Sequence, residues 1–238
     1  MINIVIPMAG KDVYFSKKDY LFSKYLIEIN GKTMIEHVIE NYSSIKEKRF
    51  IFIINKPNSD QHHLDNILKI LTDYKCEIIV VEKETMGAAC SVMLAIDYIN
   101  NESNLIIANP DQIFDRKISD IIGKFINYDS GVPVFHSVHP RYSYVRKDEN
   151  DMVFEVAEKN PISNYAIAGL FFFSEGRAFI SSVESMIKKS NHLNGLFFIS
   201  PCLNEIILRN KTVHALTLDN KEYHTFYTPK KIEEYERL

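Results

Sequence analysis

The first half of the chain alternates short, almost wholly apolar runs with amphipathic stretches. Ile2 to Ile6, Phe50 to Ile54, Glu77 to Val81 and Leu105 to Ala108 are apolar at every position except Asn3 and Glu77. Continuous apolar runs predict strands buried on both faces, as in a parallel sheet covered by helices. Between them, Thr33 to Tyr42 places Met34, Ile35, Val38 and Ile39 on one face, and Thr33 with Glu36 forms a capping-box pattern. Asp60 to Leu71 sets Leu64, Ile67, Leu68 and Leu71 at helical spacing, and Met86 to Ile99, rich in Ala and Met, predicts a further helix. Strand, helix, strand in repetition predicts a doubly wound α/β fold, with ligands beyond the carboxyl ends of the strands. The loops at Pro7 to Lys24, Glu82 to Gly87 and Asn109 to Asp115 then hold the chemistry.

The second half is mixed. Val132 to Val138, Met152 to Val156, Ile167 to Phe173 and Val213 to Leu218 read as strands. Arg177 to Lys189 and Cys202 to Leu208 read as helices, and Thr228 with Pro229 makes an N-cap and N1 pair opening a last helix from Lys230. No linker, repeat or low-complexity tract separates the halves, so residues 1–238 read as one domain whose mixed sheet is mostly parallel in its first half.

Composition narrows the function classes. With 46% apolar and 25% charged residues the chain is an ordinary globular sequence. A formal net charge of −3 argues against nucleic acid or an anionic membrane as partner. No apolar run reaches the roughly 18 residues of a transmembrane helix, and the apolar N-terminus lacks the basic start of a signal peptide. Cys76, Cys90 and Cys202 lie far apart, without a C-x-x-C pair, which suits a cytoplasmic protein. Eight glycines are few for a chain that would handle phosphates through glycine loops.

The loop after the first strand reads Pro7-Met8-Ala9-Gly10-Lys11-Asp12-Val13-Tyr14-Phe15-Ser16-Lys17, and Tyr20-Leu21-Phe22-Ser23-Lys24-Tyr25-Leu26 follows. Later come Thr85-Met86-Gly87-Ala88-Ala89 and Asn109-Pro110-Asp111-Gln112. The second half carries Arg141-Tyr142-Ser143-Tyr144-Val145, then Glu158-Lys159-Asn160-Pro161-Ile162-Ser163-Asn164-Tyr165-Ala166 and Gly169-Leu170-Phe171-Phe172-Phe173. These segments resemble the sugar-nucleotide pyrophosphorylase, or nucleotidylyltransferase, family of the kind that serves capsule or lipopolysaccharide biosynthesis. That family shows G-x-G-x-R, F-P-K-P-L and an E-K-P…S-N-x-A-x-x-G-L-Y-x-F signature. The stretches Asn194 to Glu205 and Tyr227-Thr228-Pro229 resemble a subgroup's N-G-x-F-Y…P-x-x-N-E and closing G-T-P.

The resemblance implies a Rossmann-like, GT-A-like fold that moves a nucleotidyl group from a nucleoside triphosphate to a sugar phosphate or similar acceptor, releasing pyrophosphate. It puts the nucleotide on Ala9, Gly10, Lys11, Gly87 and Ala88, in a half spanning about residues 1–115. Lys24 and Asp111 would act on the triphosphate, Asp111 as ligand to Mg²⁺. Ser143, Glu158, Lys159 and Gly169 would take the acceptor, in a half spanning about residues 116–238. Glu158 and Lys159 are adjacent, so both line one pocket only near a strand end or an irregular segment. A homo-oligomer is compatible with this picture.

Several positions depart from the pattern. Asp12 and Tyr14 stand at the second glycine and the arginine of the loop, and Ser23 and Tyr25 at the two prolines flanking Lys24. Thr225 stands where many members carry a second metal-binding acid, and Tyr227 replaces the glycine. Two alternatives therefore stay open on the residues alone. One is a catalytically impaired relative that binds a nucleotide or nucleotide sugar. The other is a nucleotide-sugar-dependent glycosyltransferase, which wants D-x-D where Asn109 holds the first position.

Overall fold

The computed structural model describes residues 1–10, 14–15 and 22–238. Lys11 and Asp12 lie outside the described residues. In chain order the strands are β1 (Ile2–Met8), β2 (Glu28–Ile29), β3 (Lys32–Thr33), β4 (Lys48–Asn55), β5 (Cys76–Val81), β6 (Leu105–Ala108) and β7 (Gln112–Phe114). Then come β8 (Ser130–His136), β9 (Tyr144–Lys147), β10 (Val153–Ala157), β11 (Tyr165–Ile167), β12 (Leu170–Phe173), β13 (Val213–Thr217) and β14 (Tyr223–Thr225).

One mixed sheet runs in the order β10-β9-β11-β8-β12-β6-β1-β4-β5, with β13 alongside β8. The pairs β5-β4, β4-β1 and β1-β6 are parallel. From β12 to β10 each neighbour is antiparallel, while β13 runs parallel to β8. From β1 the chain winds outward through β4 and β5, then returns to the other side of β1 as β6. That reversal opens a crevice beyond the carboxyl ends of β1 and β6. Met8 ends one of these strands and Ala108 the other, which brings Gly10 and Asp111 to the same edge.

Side chains alternate along the central strands into two cores. Ile4, Ile6, Phe50 and Phe52 face the helix Met34–Asn41, while Val5, Ile51 and Ile53 join a core with Phe179, Val183 and Leu203 from the helices Gly176–Lys188 and Cys202–Ile207. Both faces exclude water, hence the uninterrupted apolar runs. The Thr33–Glu36 capping box forms in full, and Thr228 accepts from the Lys231 amide ahead of a helix that opens one residue early, at Pro229.

Four elements differ from the sequence expectation: β5 is the edge strand and is only half-buried, not buried on both faces, and three others are divided. The stretch 60–71 is two helices, Lys56–His62 and Leu64–Leu71, divided at His63 with φ of 51°. The first is opened by the Asn55 cap and Pro57 and has almost no apolar side chain to bury, so it is not tied to the axis that Leu64 and Leu68 impose. Residues 86–99 break into Ala88–Met93 and Ile96–Ile99, where Ala95 leaves the helical region with ψ of 13°. Residues 167–173 are two strands, because Gly169 takes a φ of +63° that bends the chain between β11 and β12.

Candidate active site

A cavity of about 340 Å³ opens beyond β6, of a size suited to a small ligand. Of the residues singled out in the sequence, Ala88, Asp111, Ser143, Glu158, Lys159 and Gly169 line it. Ala9, Gly10, Gly87 and Lys24 do not line it, although Lys24 reaches its wall through Asp111.

Asp111 follows β6 in the turn before β7, and β7 pairs with β14 through Gln112 and Thr225. The Phe226 amide donates to the Asp111 carbonyl at 2.7 Å, which fastens the C-terminal segment across this turn. On the facing side Lys24 begins a 3₁₀ turn, Lys24–Leu26, anchored by Tyr25, whose buried hydroxyl donates to the Met8 carbonyl at 3.1 Å. Lys24 Nζ then stands 3.3 Å from the Asp111 carboxylate. Tyr25 thus does what neither flanking proline of the family pattern would do: it ties the lysine turn to the end of β1.

Another part of the cavity lining comes from the segment after β10. That strand stops at Ala157, and Lys159 takes a left-handed φ of +53°. The irregular step lets Glu158 and Lys159 line the same cavity despite being adjacent. The Glu158 carboxylate accepts from the Ser143 hydroxyl and, at 2.7 Å, from the buried hydroxyl of Ser200. Lys159 Nζ lies 4.5 Å over the Phe198 ring, which holds the ammonium without neutralising it.

Gly169 on the cavity wall and Gly87, next to the lining residue Ala88, owe their identity to protein neighbours. A Cβ on Gly169 would collide with the side-chain amides of Asn109 and Gln112. Those amides form a buried network in which Gln112 donates to the Ala168 carbonyl at 2.7 Å and accepts from Tyr223 at 2.9 Å. A Cβ on Gly87, whose φ is +105°, would strike the backbone of Phe197. Phe197 is bonded there through its amide to the Met86 carbonyl and through its carbonyl to the Ala89 amide.

Burial raises the pKa of Tyr223 and of Tyr142, the latter further through its neighbour Tyr227, so both phenols stay neutral donors. Arg141, Phe198, Ser200 and Tyr227 also line the cavity. Sequence reasoning missed Ser200 and Phe198 as site residues, because each acts only through a partner distant in the chain. Among the described residues no cluster of three or more His, Cys, Asp or Glu side chains is arranged for a metal ion. The carboxylates on the cavity wall are Asp111 and Glu158, and both serines donate to the same oxygen, Oε2, of Glu158.

Residues 20–214 match the family model described as nucleotidyl transferase. The bifunctional protein GlmU of Methanocaldococcus jannaschii is 26% identical over 177 residues, covering 73% of this chain and 40% of that protein. The chain thus spans less than half the length of that relative. The crystal structure of the nucleoside-diphosphate-sugar pyrophosphorylase from Vibrio cholerae RC9 superposes with a TM-score of 0.85 at 23% identity, covering 99% of this chain and 100% of that one. The inositol-1-phosphate CTP transferase from T. maritima superposes with a TM-score of 0.77 at 14% identity, covering 99% and 93%. Both superpositions establish the fold.

Proposed function

As the chain belongs to the nucleotidyl transferase family, we propose that it transfers a nucleotidyl group from a nucleoside triphosphate to a sugar 1-phosphate or similar phosphorylated acceptor, releasing pyrophosphate. One observation carries the reading: Asp111, paired with Lys24, lines the same cavity as Glu158 and Lys159.

The reaction needs little covalent help from the protein. An acceptor phosphate oxygen attacks the α-phosphorus, and the bond from that phosphorus to the pyrophosphate oxygen breaks. Two anionic reactants must therefore be held in line and their charge offset. Lys159 would grip the acceptor phosphate and Glu158, oriented by Ser143 and Ser200, would accept from an acceptor hydroxyl. Lys24 would meet the triphosphate. Asp111 suits Mg²⁺, which takes one or two carboxylates and completes its shell with water and phosphate oxygens. Bound there, the ion would offset charge on the triphosphate.

Residues 1–115 would serve mainly the nucleotide and residues 116–238 the acceptor. No helix among the described residues is long and apolar enough to cross a membrane. The free thiols of Cys76, Cys90 and Cys202 suit a reducing compartment, so the reading includes the cytoplasm, supply of sugar nucleotides for capsule or lipopolysaccharide, and a homo-oligomeric assembly.

The test is pyrophosphate release with Mg²⁺ across the common nucleoside triphosphates and a panel of sugar 1-phosphates. Release that requires both substrates supports the reading. Triphosphate binding without release on any acceptor overturns it in favour of a non-catalytic nucleotide binder.

A further inference from the structure

Two departures from the family pattern meet in space. Tyr14, at the loop arginine's position, and Tyr227, at the glycine's, contact each other edge to face with ring centroids 6.1 Å apart. Both rings close on Arg141. Its guanidinium carbon lies 3.2 Å from the Tyr227 centroid, 5.5 Å from Tyr14 and 5.7 Å from Tyr142. A glycine at 227 would offer no such face.

Arg141 is half-buried on the cavity wall. Elsewhere Arg116, Arg146, Arg177 and Arg237 each reach a glutamate. Among the described residues Arg141 reaches no carboxylate, and its charge meets aromatic faces only. Aromatic faces stabilise a guanidinium without neutralising it and leave the N–H edges of the fork able to bind an oxyanion. They also restrict the side chain beforehand, which lowers the entropy lost when a ligand is gripped.

We propose that Arg141 is a phosphate-binding residue of this site, with Tyr227 and Tyr14 as its positioning residues. The inference rests on the nucleotidyl-transfer reading for which phosphate is meant, but not for the anion affinity itself. Its chemistry explains the paired replacements: the cation absent at position 14 is supplied from position 141, and the tyrosine now at 14 helps to hold it. The ligand is a phosphate oxyanion, from the triphosphate or from the acceptor.

The sequence contains no tryptophan, so Tyr227→Trp keeps a ring on Arg141 and adds a single fluorophore beside it. Titration of that variant with pyrophosphate should change its fluorescence. Adding Arg141→Ala should weaken the binding on the order of ten- to hundred-fold, as for loss of a charged hydrogen bond. Arg141→Lys, which keeps charge and stem, should recover only part because it lacks the planar fork. In the pyrophosphate-release assay, Arg141→Ala should raise KM by a similar factor. A rise confined to the triphosphate assigns Arg141 to the nucleotide, and one confined to the acceptor assigns it to the acceptor phosphate. Tyr227→Leu should raise the same KM by a smaller factor than Arg141→Ala, while Tyr227→Phe, which keeps the ring, should raise it less.

Unchanged pyrophosphate affinity in Arg141→Ala, with both KM values within about twofold of the parent, overturns the proposal. A parent protein that turns over no substrate pair, yet binds pyrophosphate through Arg141, overturns the transferase reading alone.

Discussion

The ammonium of Lys24 stands 3.3 Å from the carboxylate of Asp111 across 87 residues of sequence, with both side chains less than one-fifth exposed. The pair joins the two chain segments that flank the sheet's crevice. In the proposed reaction Lys24 would meet the triphosphate and Asp111 would hold the metal ion, so the ion pair would give way when both are bound. Asp111→Asn removes the charge a divalent cation needs and should cut turnover by two orders of magnitude or more, as for loss of a preorganised electrostatic contact. Lys24→Ala should act mainly on KM for the triphosphate. Steady-state pyrophosphate release checks both, and an Asp111→Asn protein with parental kcat would remove Asp111 from the mechanism.

Lys159 holds its position at a backbone cost. A non-glycine residue at φ of +53° is strained, by about 1–2 kcal/mol. Lys159→Gly and Lys159→Ala both lose the ammonium over Phe198, but only the alanine keeps the strain. Both variants should raise KM for the acceptor at least tenfold, as when a charged contact is lost. In urea unfolding Lys159→Gly should be the more stable, by about 1 kcal/mol. Equal stabilities would show that the left-handed step is not a source of strain, and an unchanged acceptor KM would sink the acceptor role.

Gly169 carries a different demand. Its φ of +63° disfavours a side chain, and the amides of Asn109 and Gln112 already fill the space a Cβ would need. Gly169→Ala should therefore destabilise the protein by at least ~2 kcal/mol. Because Gln112 also bonds Ala168 and Tyr223, the damage should spread to the β7–β14 ribbon beside Asp111. Thermal unfolding measures the first effect and hydrogen exchange at Ile113 and His224 the second. A melting temperature close to the parent's would contradict the packing argument.

The sequence made the central fold legible because strands buried on both faces leave continuous apolar runs, and because caps such as Thr33 with Glu36 are local. It was silent where a long-range contact decides. Nothing around His63 signals a left-handed break, since the break depends on which residues must reach the core. The irregular step that points Glu158 and Lys159 into one cavity was foreseeable only as a requirement of their adjacency. The serine that completes the Glu158 shell, Ser200, stands 42 residues away from it. Tyr14 and Tyr227 looked like separate losses in sequence, and only their shared contact with Arg141 relates them.

His214 in β13 gives the protein a pH dependence that is separate from the site. Its ring stacks on Tyr128 with centroids 4.4 Å apart, and its buried Nδ1 has no hydrogen-bond partner among the described residues. Burial lowers its pKa below the usual histidine value; Lys147 and Lys124 push the same way, and Asp151 partly opposes them. The unfolded chain therefore binds a proton here at a higher pH than the folded one. Between the two pKa values the unfolded state holds more protons, so stability rises with pH across that window. Stability should be complete above the unfolded value of roughly 6.5 and fall as the pH drops through it towards the folded one. His214→Phe keeps an aromatic ring on Tyr128 and removes the proton site, so it should flatten the dependence of urea midpoint on pH below about 6.5. A slope identical to the parent's would assign the acid sensitivity to other groups.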